Sequence, residues 1–156
     1  MSDPDGVLFY GYSWPSEGED QDFETDMDLA VKALLARRGH TDPWHEHYRG
    51  NYEAWKVWAA ENHEIVDAYR DAKEAAKQEL GVDWGSGCSF EYPVPYLYVL
   101  GSKTESEWGD AQPIRPGGME VGADWKQKLD AFLAMQEITP PKGEDQPGWW
   151  LTSFYG

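Results

Sequence analysis

The sequence predicts an α+β fold, with about three helices, one of them long, packed against a small mixed sheet of three to five strands. Two kinds of pattern predict it. Several segments repeat apolar residues at spacings of three and four, others are dense in β-branched and aromatic residues, and Gly or Pro marks the joins between them. The 156 residues suffice for one domain, 1–156, with its own core. Nine Trp, nine Tyr and five Phe supply the apolar bulk that disordered chains lack.

The first element is "VLFYGY", Val7 to Tyr12, whose apolar run without polar alternation reads as a strand covered on both faces. Pro15 and Gly18 end it, and an acidic loop over 13–24 leads into a helix beginning between Asp22 and Thr25. Phe23, Met27, Ala30, Val31 and Leu34 form that helix's apolar stripe, and Gly39 suits its C-terminal cap. After the connector "HTDPWHEHYRGN", the residues Trp55, Trp58, Asn62, Ile65, Tyr69, Ala72 and Ala76 define one long helix over 51–80. Asn62 is the polar exception in that stripe, either a buried hydrogen-bonding residue or a break.

Beyond Gly81 the pattern turns to β, with "CSFEY" and "YLYVL" separated by Pro93, Val94 and Pro95, residues that interrupt ladder hydrogen bonding. A polar stretch over 101–118 reads as a surface loop. Trp125, Leu129, Phe132 and Leu133 mark a third helix, with Asp124 and Gln127 at capping-box spacing, and "WWLTSFY" from Trp149 reads as a terminal strand.

The most unusual stretch is "EGEDQDFETDMD", residues 17 to 28, with seven carboxylates and no Lys or Arg. Carboxylates near a helix N-terminus gain about 0.3–1 kcal/mol each from the macrodipole, which accounts for two or three of them. Like charges four apart in a helix cost about 0.2–0.5 kcal/mol per pair, so helix stability does not explain the rest. The readings left are a solvated acidic face, a surface for a basic protein, and a Ca²⁺ site. The last lacks EF-hand loop spacing, since Gly18 comes too early.

The formal charge of −16 opposes direct contact with nucleic acid or anionic membranes and attracts basic partners. The single Cys88 excludes an internal disulfide, and neither a secretory signal nor a membrane-length apolar run is present, so a soluble cytoplasmic protein is expected.

His40, His45 and His47 with Asp42 and Glu46 form a metal-like cluster without the spacing of a helical H-E-x-x-H or a Cys/His module, so a polar loop beside Trp44 is expected and no metal. Cys88 in "GSGCS" has no neighbour specified to activate it and reads as a small buried hydrophobe. No P-loop is present, and neither a cofactor nor a catalytic residue is assigned. Trp55, Trp58 and Trp125 are expected in the core. Trp14, Trp44, Trp84 and Trp108 fall in expected loops, where exposure suits a binding surface.

The function expected is therefore a non-enzymatic interaction protein that binds a basic, nucleic-acid-binding class of protein through Trp14, Glu17, Glu19, Asp20, Asp22 and Glu24, with inhibition by nucleic-acid mimicry as the mechanism. In composition alone the chain resembles the small acidic inhibitors made by phages, with no shared motif. The alternative is a small-molecule-binding protein or small enzyme with an aromatic-lined pocket that uses His45, His47, Cys88 or acidic residues. A concavity containing several of these groups favours the alternative.

Overall fold

The computed structural model describes residues 6–14, 23–48, 50–88, 93–106, 111, 113, 119–135, 137–141 and 146–153. The side chains of 23–26, 45, 86–88, 93–94 and 153 are outside that description. The fold is α+β, as expected, and its contacts divide into two compact units, residues 1–27 with 80–156 and residues 28–79.

The first unit is built on a five-stranded antiparallel sheet of β1 (Gly6–Ser13), β2 (Val82–Cys88), β3 (Pro93–Val99), β4 (Thr104–Ser106) and β5 (Gly148–Ser153). One edge of β1 is covered by β5 from Gly6 to Gly11. The other edge is shared, with β3 beside Gly11 to Ser13 and β4 beside Gly6 to Leu8. The pairs Gly11↔Tyr98 and Leu8↔Thr104 lie three positions apart along β1 but six apart from β3 to β4, so the intervening turn extrudes three residues. That turn closes the ladder with a side chain. Ser102 Oγ accepts from Tyr10 N at 3.1 Å and donates to Val99 O at 2.7 Å, satisfying two buried backbone groups.

β4 lies inside the stretch expected to be a loop. Its three residues carry no apolar alternation, and only pairing with β1 makes them a strand. The β2–β3 pair also differs from expectation: β2 begins at Val82, and Pro93 and Pro95 lie within β3, paired with Cys88 and Ser86. Pro95 O accepts from Trp14 N at 3.0 Å, so the backbone polar groups of Pro95 face β1, and its missing N–H leaves the β2 ladder intact.

Antiparallel pairing places Tyr10, Tyr12, Leu97, Val99, Val82 and Trp84 on one sheet face. Helix α5 (Trp125–Met135) packs there through Leu129, Phe132 and Leu133, all buried. Phe132 stacks on Trp84 at 5.5 Å, Tyr12 donates to Asp130 at 3.0 Å, and Tyr10, Trp125 and Trp149 form a tilted and edge-on cluster. The opposite face carries Val7, Phe9, Tyr96 and Tyr98, with Phe9 stacked on Tyr96 at 4.6 Å. Gly85, paired with Tyr96, leaves the space that this ring occupies: a Cβ there would come within 2.9 Å of the Tyr96 hydroxyl.

The second unit holds the length of α1 (Phe23–Arg37) from Asp28 onward, with α2 (Pro43–His47), α3 (Tyr52–Glu61) and α4 (His63–Leu80) up to Glu79. Ala30, Val31 and Leu35 of α1 are buried, as is Ala76 of α4. Asp28 to Lys73 at 2.8 Å and the bidentate Arg38–Glu79 pair at 2.7 and 2.8 Å tie α1 and its end to α4. That exposed pair raises the Arg38 pKa and lowers that of Glu79, chiefly through the hydrogen bonds.

The single long helix expected over 51–80 is two helices. Asn62 leaves helical geometry at φ −123°, ψ 34°, its own N–H bonds to Trp58 O, and its side-chain amide donates to the same carbonyl at 2.9 Å. An Asn side chain that competes for backbone acceptors ends α3 there. Asn51 begins it, accepting from Ala54 N at 3.1 Å.

Candidate functional site

Among the described residues, a candidate site lies in the second unit. Asp42 starts α2 by accepting from Trp44 N at 3.0 Å, Pro43 follows at a position that requires no N–H, and the Asp42 carboxylate also meets Lys32 at 3.0 Å. This short helix stacks against α3 through aromatic rings. Trp44 lies 4.1 Å from Tyr48 and edge-on to Trp55 at 5.0 Å, Trp55 stacks on Trp58 at 5.5 Å, and His47 stacks on Trp58 at 3.8 Å. No residue of α3 is buried, so these ring contacts rather than a deep core hold it to α2.

Beside this ladder opens a cleft of about 470 Å³ lined by Gly39, His40, Thr41, Pro43, Glu46, His47, Trp58, Glu64, Ile65, Ala68 and Tyr69. Its volume falls in the range of small-molecule sites. The walls are apolar or aromatic at Pro43, Trp58, Ile65, Ala68 and Tyr69, while Glu46 and Glu64 are solvent-exposed carboxylates; among the described residues the lining contains no Lys or Arg. Tyr69 is the unusual member. Its hydroxyl oxygen is closed to solvent and has no hydrogen-bond partner among the described residues. Burial first, then the charges of Asp42 and Asp28, push its pKa up to about 12, so the phenol keeps its proton at neutral pH.

Of the residues singled out from sequence, His40, Glu46 and His47 reach this cleft. The side chain of His45 lies outside the described residues, as does that of Cys88, whose backbone pairs with Pro93 in β2. Among the described residues, no group of three or more His, Cys, Asp or Glu is placed to hold a metal ion. Comparison with known proteins returns no match. No protein-family model, no curated protein and no solved structure is significantly similar to this chain.

Trp14 corrects the surface-anchor expectation. It is 3 % exposed, its backbone continues β1 toward Pro95, and its indole N–H donates to Thr139 O at 3.3 Å. Trp84, also expected in a loop, is buried in β2. Trp44, expected in a loop, lies in the short helix α2 and is exposed, and Trp108 lies outside the described residues. Glu17, Glu19, Asp20 and Asp22 lie outside them too, and Glu24 falls in the first turn of α1 with its side chain undescribed. Sequence reasoning assigned Trp58, Ile65 and Tyr69 to a core stripe. Ile65 and Tyr69, four apart, do share a face of α4, but Trp58 lies on α3 across the break at Asn62; all three border the cleft, and Ile65 is 53 % exposed. No Lys or Arg interrupts that face, which was the available signal.

Proposed function

We propose that this is a non-enzymatic interaction protein whose acidic N-terminal stretch engages a basic surface on another protein. The distribution of charge carries the reading. Asp3, Asp5, Glu17, Glu19, Asp20, Asp22, Glu24 and Asp26 lie in the first 27 residues without a single Lys or Arg, supplying half of the net −16. Local structure accounts for only part of this: Glu24 and Asp26 enter the first turn of α1. Glu17, Glu19, Asp20 and Asp22 precede the helix, where such a charge density speeds encounter with a basic partner. Nucleic-acid-binding proteins present basic surfaces of this kind, and charge mimicry of nucleic acid is the proposed mode of inhibition. With Trp14 buried, Trp44 and Tyr52 are the exposed aromatic anchors among the described residues.

The test replaces Glu17, Glu19, Asp20 and Asp22 by Ser and compares capture of partners from a lysate at low and high salt. The variant should fold normally, lose on-rate and lose most of the salt sensitivity, because attraction fades as the Debye length falls from about 8 Å near 0.15 M toward 3 Å at 1 M. Added nucleic acid should compete. A tight complex indifferent to salt and to the four substitutions refutes the reading.

The cleft supports a second reading, that of a small-molecule-binding protein. Its support is the convergence of aromatic walls, two histidines and two carboxylates on one concavity.

A further inference from the structure

We propose that the cleft beside α2 takes a small organic cation, an ammonium or guanidinium carried on an apolar body. This rests on the small-molecule reading and names its ligand class. An apolar body suits Pro43, Trp58, Ile65 and Ala68, and Trp58 is already stacked on His47 and Trp55 without any ligand. The charge is set by the lining: among the described residues it holds Glu46 and Glu64 with no Lys or Arg, and Glu46 lies 3.8 Å from His47 Nε2. Of the nearby acids, Asp42 and Asp28 are each ion-paired, with Lys32 and Lys73. Even so, their field still acts on Tyr69 in the direction that opposes a phenolate, and the same sign of field favours a cation. The aromatic rings add the electron-rich faces and edges to which cations are drawn. An anion would meet both carboxylates and the overall −16.

The experiment titrates the full chain with 3-phenylpropylammonium, 3-phenylpropanol and 3-phenylpropanoate, three probes with one shared body, following backbone amide shifts by NMR. The ammonium should give saturable shifts centred on His40, His47, Ala68 and Tyr69. The alcohol should bind about 10-fold more weakly, and the carboxylate more weakly still. Glu46→Gln with Glu64→Gln, at two exposed positions that should not disturb folding, should lower ammonium affinity about 3- to 10-fold and leave the alcohol unchanged. Displacement of the ammonium by a lysine-rich peptide assigns the cation to a partner's side chain, and its failure to displace assigns a free amine. If the alcohol or carboxylate binds in the cleft as well as the ammonium, or the double variant binds the ammonium normally, the cation proposal falls and the small-molecule reading stands. If none of the probes shifts these amides at millimolar concentration, both fall.

Discussion

Tyr69→Phe removes one oxygen and keeps the ring, so it isolates the hydroxyl that the fold closes off from water without a partner. An unsatisfied buried polar group of this kind costs about 1–3 kcal/mol relative to its hydrated state in the unfolded chain. The ring is only partly buried, which leaves room for relaxation, so the lower end applies. The variant is expected to be about 1 kcal/mol more stable than the parent near pH 7, a rise of about 2–4 °C in Tm for a chain of this size. The alkaline limb gives an independent check. Unfolded Tyr69 loses its proton near pH 10, whereas burial and the charges of Asp42 and Asp28 hold the folded phenol to about 12. The folded state therefore binds the proton more tightly. That contribution is complete below the unfolded pKa and is lost as pH rises through the folded one. Phe lacks it, so the variant's advantage should widen between roughly pH 10 and pH 12, by at most about 3 kcal/mol and by less to the extent that water screens this partly exposed site. Urea unfolding followed by circular dichroism, on parent and variant at neutral and alkaline pH, measures both effects. A variant destabilised by more than about 1 kcal/mol at neutral pH, or a gap independent of pH, refutes the reasoning.

Three further substitutions test the fold. Ser102→Ala deprives Tyr10 N of its acceptor inside the sheet and should cost about 1–3 kcal/mol in chemical denaturation, while a neutral result would mean that water replaces the hydroxyl. Phe132→Ala empties a fully buried site against Trp84 and should cost about 3–5 kcal/mol, with a matching fall in the denaturation midpoint. Trp58→Ala, by contrast, should cost only about 1–2 kcal/mol, because this ring is only partly buried and its main loss is stacking on His47 and Trp55; a full core-sized loss in the same assay would place it in a closed interior.

Local periodicity was enough to read α1 and α5 from the sequence. Met27, Ala30 and Val31 of the expected α1 stripe are buried, and so are Leu129, Phe132 and Leu133 of α5. The strand around Val7–Tyr12 and the terminal strand were legible for the same reason, since a buried strand needs the β-branched and aromatic residues that the eye finds there. The net charge and its crowding near the N-terminus are properties of the sequence alone. Other features depend on partners far along the chain, which no local pattern encodes. Thr104–Ser106 becomes a strand only because β1 offers an unfilled edge, and Trp14 is buried only because the chain continues alongside Pro95 and meets Thr139. The break at Asn62 was visible as a polar residue in an apolar stripe. Whether its amide would be buried against a partner or turn back on Trp58 O was decided by the folded backbone. The cleft follows the same rule. His47, Trp58 and Tyr69 belong to three different helices, and their meeting is a matter of helix packing, which side-chain spacing along one helix cannot specify.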